Sequence, residues 1–233
     1  MNLEKSKNSF EMLLRDYRIV EVENIIKICK MLKMPQKILT ATLYNFYYGR
    51  YVLWFEPDDI VFYSSLIDLS YKMMEVNKSQ DQIIHTTSSF FHIDISDNSL
   101  IDKYKKAIND LQINFLFETR CDLFPPLLHD LLIEKCMKYK LSRKTKELSW
   151  VFLNDLVSFL PSALFFTPEE CVYTSIFLAV SINYSEFFDD VSNIRNSYDD
   201  LFKSKIDLSD EMMATIIYLS SNLLNRYESG NLK

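Results

Sequence analysis

Residues 57–70, PDDIVFYSSLIDLS, and residues 168–181, PEECVYTSIFLAVS, align without a gap. Pro57/Pro168, Val61/Val172, Ser64/Ser175 and Ser70/Ser181 are identical. Asp58/Glu169, Asp59/Glu170, Phe62/Tyr173, Leu66/Phe177, Ile67/Leu178 and Leu69/Val180 are conservative pairs. Each stretch opens with proline and two acids, which suit the first turn and the positive end of a helix. Each is then apolar nearly all round, the mark of a helix wrapped by its neighbours. The copies lie 111 residues apart. Two copies are too few for a solenoid. They suit two similar all-helical domains of roughly five helices each.

Outward from these stretches the apolar period stays helical. Residues 21–34 form one amphipathic helix, with Ile25, Ile26, Ile28, Cys29, Met31 and Leu32 on its apolar side, stopped near Pro35. A second runs from Pro35 to about Tyr51, and the first repeat helix continues to about Glu75. Shorter helices are expected near 80–92 and 99–113, followed by a break at Cys121-Asp122-Leu123-Phe124-Pro125-Pro126. Beyond it, helices are expected over 125–140 and 142–160, with a third from Pro168. Phe115–Glu118 and Leu164–Phe166 could be read as strands, but neither has a partner or turn chemistry. The expectation is all-α.

Composition narrows the function. The 233 residues include only Gly49 and Gly230, so no GxGxxG or GxxxxGK[ST] loop exists to cradle a phosphate. Net charge is −6, against the basic balance usual in nucleic-acid readers. No apolar run reaches the 18 residues of a membrane span, and Met1–Ser6 lacks the apolar core of a secretory signal. Cys29, Cys121, Cys136 and Cys171 show no zinc spacing and are expected to be buried thiols in a reducing compartment. His92 and Asp94, two apart, do not share a helix face, and no third ligand is near them in sequence. The acidic pairs 58–59, 169–170, 189–190 and 199–200 fit helix starts and polar loops better than acid–base catalysis. Neither a cofactor nor an active site is expected.

Specific residues resemble the cyclin family. Met34–Tyr51 is similar to the second helix of the first cyclin box in transcriptional cyclins. SSLIDLSYKMME, residues 64–75, resembles the family's CxFLAxKxxE helix, with Lys72 on its lysine and Glu75 on its acid. Leu111–Phe117 resembles the LNFxL end of the fifth helix. In the second half, Ser149–Asp155 is similar to AWxFxND and Leu164–Pro168 to the LxYxP lead-in. Within the family the H type is nearest, on Glu23–Leu53 and Met212–Glu228, and the C type second. The resemblance implies a flank at 1–20, a first box at 21–120, a second at 121–228 and a tail at 229–233. It implies a non-catalytic subunit that binds and activates a cyclin-dependent kinase as a heterodimer, in transcription and cell-cycle control. The H type implies the kinase-activating kinase of TFIIH, a third assembly factor and a nuclear location, with no nucleic acid or membrane partner.

The implied kinase-binding residues are Lys72, Met73, Glu75, Lys106, Asp110, Phe115 and Phe117. Phe and Met suit buried anchors of a docking surface. Two departures stand out. Phe46-Tyr47 replaces the family's Arg-Phe pair, and Lys106 replaces the glutamate that works with the family lysine. Asp102 and Asp110, four residues either side of Lys106, could compensate. Asp68, where the second repeat has Ala179, is either a hydrogen-bonded buried acid or an interface residue. The basic cluster Lys135, Lys138, Lys140, Arg143, Lys144 and Lys146 is either a solvated helix end or a surface for an acidic or phosphate-bearing partner. The competing expectations are another transcriptional cyclin of the C, K or L type, a TFIIB-like nucleic-acid binder and a helical scaffold.

Overall fold

The computed structural model describes Phe10 and residues 19–51, 53, 59–121, 125–185, 206 and 208–228. Among these residues every regular element is helical. They are α1 (Ile19–Met31), α2 (Gln36–Tyr51), α3 (Asp59–Met73), α4 (Gln80–Phe90), α5 (Asn98–Glu118), α6 (Leu128–Lys138), α7 (Arg143–Phe159), α8 (Ser162–Phe165), α9 (Pro168–Ser185) and α10 (Asp210–Glu228). The chain divides into two compact units, Arg15–Pro125 and Pro126–Lys233, the latter joined by Met1–Leu14.

In the first unit α3 packs against α2, α4 and α5. Its buried run from Phe62 to Tyr71 is unbroken, because the pattern leaves no polar stripe to face water. In the second unit α9 takes the same place, against α6, α7 and α10. The repeat therefore marks the central helix of each unit. Ser70 Oγ donates to Leu66 O at 2.7 Å, and its counterpart Ser181 Oγ donates to Phe177 O at 2.7 Å. Both serines satisfy themselves on the preceding turn, so a hydroxyl can sit in an apolar helix. Pro57 and Asp58, the expected start of the first copy, lie outside the described residues. The second copy starts in a capping box. Thr167 N donates to Glu170 Oε2 at 2.7 Å, and Glu170 N donates to Thr167 Oγ1 at 3.3 Å.

Two boundaries differ from expectation. Helix α5 extends to Glu118, because Thr119 N and Thr119 Oγ1 both bond Phe115 O and close its last turn. Helix α6 starts only at Leu128 and not at Pro125, since Leu127 has a non-helical ψ of 59° and Leu128 N closes a tight turn on Pro126 O at 2.8 Å. Short α8 was not foreseen. Phe10 is fully buried in the second unit, its ring centre 5.2 Å from Phe166 and 6.1 Å from Tyr218.

Scarce glycine shapes the helix ends. Lys33, Glu75, His92, Arg120, Cys121 and Lys140 have φ between 51° and 58°, the left-handed region that glycine usually fills. Five helices end this way. The following amide reaches back five residues in four of them: Met34 N to Cys29 O, Val76 N to Tyr71 O, Ile93 N to Ser88 O and Leu141 N to Cys136 O. After α5, Cys121 N itself makes the equivalent bond to Leu116 O, 2.8 Å. Gly49 serves a different need. A Cβ there would lie 3.0 Å from Phe115 Cε2, so α2 and α5 approach where a side chain fits only if the Phe115 ring gives way.

Cys29, Cys136 and Cys171 are buried free thiols, and burial pushes all three up, Cys171 to about 12. Cys121 departs from expectation. Its left-handed position at the end of α5 exposes it. No helix among the described residues is long and apolar enough to cross a membrane.

Candidate functional site

Five of the seven residues expected to bind a partner sit on α3 and α5 of the first unit in exposed or half-exposed positions. Lys72 ends α3 with about half of its side chain in solvent. Its Nζ donates to Asp68 Oδ2 at 2.8 Å and to Gln112 Oε1 on α5 at 2.8 Å. Asp68 is 3 % exposed, and the same Oδ2 also accepts from Gln112 Nε2 at 3.0 Å and Gln80 Nε2 at 3.1 Å. Gln112 Nε2 further donates to Ser65 O at 2.9 Å, and Gln80 Nε2 to Asn109 Oδ1 at 3.2 Å. Lys72, Asp68 and Gln112 thus close a triangle across α3 and α5.

This settles what the sequence left open about Asp68. It is a hydrogen-bonded buried acid. With Lys72 on the lysine of CxFLAxKxxE, Asp68 stands where the motif has phenylalanine. The acid absent at position 106 has a counterpart one turn before the lysine, on its own helix. Neither acid suggested as compensation bonds Lys72. Asp102 lies 3.9 Å from Lys105, whose closer partner is Asp81 at 2.6 Å. No ion pair joins Asp110 to Lys106 among the described residues. Glu75 is exposed in the left-handed cap of α3, and half-buried Met73 has its Sδ 3.5 Å from Asn45 Nδ2.

The pair Phe115 and Phe117 divides. Residues two apart on a helix point about 200° apart, so both cannot face one partner. Phe117 is 76 % exposed. Phe115 is 2 % exposed, a core residue packed on Gly49 and Tyr48, and it offers no surface. Sequence reasoning passed over Ile113, which is 50 % exposed on the same helix. Lys106, Asp110, Ile113 and Phe117 follow the 4-3-4 spacing of a single helix face, and all four are exposed. That spacing was present in the sequence but was obscured by taking alternate residues at 115 and 117. A shallow apolar cleft between α3 and α5, lined by Phe62, Leu66, Leu69, Leu111 and Phe115, holds room for about one water and no ligand.

The basic cluster keeps Lys138, Lys140, Arg143, Lys144 and Lys146 exposed and loses one member to the interior. Lys135 is buried, its Nζ 3.2 Å from Glu169 Oε1 and 5.6 Å from the centre of the Tyr173 ring. Arg143 pairs with Glu147 at 2.8 Å. Buried His129 has Nε2 2.8 Å from Asn154 Oδ1, so the Nε2–H tautomer donates to that carbonyl, and its ring packs on Trp150. His85 and His92 are exposed. No three His, Cys, Asp or Glu side chains gather as metal ligands among the described residues.

A helical unit centred on α3 and a second centred on α9 make an all-α fold consistent with the cyclin-box architecture. The chain is similar to a chain in the crystal structure of the yeast RNA Pol II CTD kinase CTDK-1 complex, with a TM-score of 0.65 and 15 % identity. The likeness covers 95 % of this chain and 82 % of that one. At this identity the likeness shows the fold. No family model matches the sequence, and no curated protein matches it.

Proposed function

We propose that this chain is a regulatory, non-catalytic subunit of a transcriptional cyclin-dependent kinase, docking through α3 and α5 of its first unit. The observation that carries the reading is the likeness, over nearly the whole chain, to a chain of a CTD kinase complex. The preorganised Lys72 supports it. The cyclin H resemblance favours the kinase-activating kinase of TFIIH, with a third assembly factor and a nuclear location. Cyclin C, K or L type partnership is the neighbouring reading.

An isolated kinase of this class holds its C-helix away from the ion pair needed for phosphoryl transfer, and the regulatory subunit binds the active arrangement preferentially. Moving that population from 1:99 to 99:1 requires about 5.5 kcal/mol of differential affinity. One exposed lysine contact supplies only a fraction of this. Apolar anchors such as Phe117 and Ile113 supply more, because their burial on docking removes large areas from water.

Mixing the purified chain with a panel of purified cyclin-dependent kinase catalytic subunits tests the reading, with complex formation and phosphorylation of a polymerase-tail peptide measured. At least one kinase is expected to bind and be stimulated. Lys72→Glu and Phe117→Ala should each weaken that complex by about tenfold or more, and Lys138→Glu much less. Phe115→Ala is a poor probe, since emptying a core site costs about 3–5 kcal/mol of stability by itself. Absence of any complex ends the proposal.

A further inference from the structure

Lys106 has a consequence that rests on the proposed kinase docking and goes further, to the chemistry of the partner. Lys72 is already met by its own chain: Asp68 and Gln112 both hold its Nζ at 2.8 Å. Lys106 is met by nothing comparable. It is exposed on α5 and makes no ion pair with a described residue, although acids stand four residues to either side. Asp102 is oriented toward Lys105 and Asp110 makes no bond to Lys106. A lysine placed before an acid at this spacing is also the weaker order for a helical pair. The cation therefore remains available at the head of the exposed face that continues through Asp110 to Ile113 and Phe117.

We propose that the α5 face docks a kinase segment presenting a carboxylate opposite Lys106, flanked by apolar side chains that cover Ile113 and Phe117. Closing a complex over this face dehydrates Lys106, and an unmatched charge at a closed interface is costly. A lysine or arginine directly opposite Lys106 would add like-charge repulsion, which disfavours such partners there. Lys106 is thus a specificity-determining residue. It selects kinases whose docking segment is acidic where a chain with glutamate at this position would select a basic one. Asp68 makes the exchange tolerable, because Lys72 does not depend on position 106 for its counter-charge.

The experiment measures dissociation constants of the chain, Lys106→Glu, Lys106→Met and Lys138→Glu against the same panel of purified kinase subunits, at about 50 mM and about 500 mM salt. For the kinase that binds best, Lys106→Glu should weaken the complex about tenfold or more at low salt, and the loss should shrink at high salt. Lys106→Met should fall between. Lys138→Glu carries the same change in net charge on the other unit and should have little effect. Changing one acid of the kinase's docking segment to lysine should restore binding to Lys106→Glu and weaken binding to the unaltered chain. Unchanged or tighter binding of Lys106→Glu, with the unaltered chain bound normally, overturns this proposal alone. Failure of the unaltered chain to bind any kinase overturns both it and the proposed function. Position 106 is solvent-exposed, and equal thermal melts of the variants confirm that binding is what changes.

Discussion

Asp68 shows how one residue carries several duties. Its carboxylate is buried on α3 and takes hydrogen bonds from Lys72, Gln112 and Gln80, tying the end of α3 to α5 and to the start of α4. Asp68→Asn keeps the shape and removes the charge, and Asp68→Ala also strands the donors. Because Lys72 is half in solvent, the cost stays below that of a fully buried pair: about 1–2 kcal/mol for Asn and about 2–3 kcal/mol for Ala. Urea unfolding of the two variants reads this. A Lys72→Met background should reduce the Asp68→Asn penalty, whereas additive losses would mean that Lys72 and Asp68 act independently. The sequence made Lys72 visible through its motif but left Asp68 undecided. An aspartate on an apolar helix has two physical outcomes, and the partner that decides between them, Gln112, is 44 residues away.

At the scale of elements, α3 and α9 were legible because a helix buried on all sides needs apolar residues at every position, which few other patterns imitate. The bounds of α5 and α6 were less so. They depend on cap bonds and on the tight turn at Pro126, whose effects are local and compete with periodicity. The left-handed helix ends were invisible, since the residues there are lysine, glutamate, histidine, arginine and cysteine, none of them the glycine or asparagine that usually marks such an end. Each such residue costs roughly 1–2 kcal/mol of conformational energy that glycine avoids, partly offset by the freedom glycine adds to the unfolded chain. His92→Gly in the first unit and Lys140→Gly in the second are therefore expected to stabilise by about 0.5–1 kcal/mol each. Thermal melts should rise by a few degrees, and a fall in either would show that the native side chain contributes more than its backbone costs.

For the whole molecule, the helical class and the duplicated central helix could be read in advance, because both are written in periodicity. The grouping of Met1–Leu14 with the C-terminal unit could not, since buried Phe10 finds its aromatic neighbours more than 150 residues along the chain. The stability of the C-terminal unit carries a pH signature from His129. Burial holds its imidazole below the usual 6.5, partly offset by the Asn154 bond and by Asp130. As pH falls, the unfolded chain takes up this proton first. The stabilisation is complete above 6.5 and is lost as pH drops through the folded value. Asp155, pushed up by burial and partly restrained by its bond from Tyr227, acts in the opposite sense as pH rises from 3.8. Urea midpoints from about pH 7.5 down to about pH 5.5 should therefore decline in the native chain and decline less in His129→Gln. Equal slopes would assign the decline to other groups.

Gly49 ties a residue on α2 to the α5 face proposed to dock a kinase. It touches no solvent-facing anchor, yet its missing side chain lets the Phe115 ring lie close against α2. A larger residue at 49 must push the Phe115 ring aside, and where the ring cannot yield, the strain passes to α5 and to the positions of Lys106, Ile113 and Phe117. In a genetic screen for kinase activation, position 49 would then score as though it lay in the interface. Its suppressors would be smaller residues at position 115, not new contacts on the kinase.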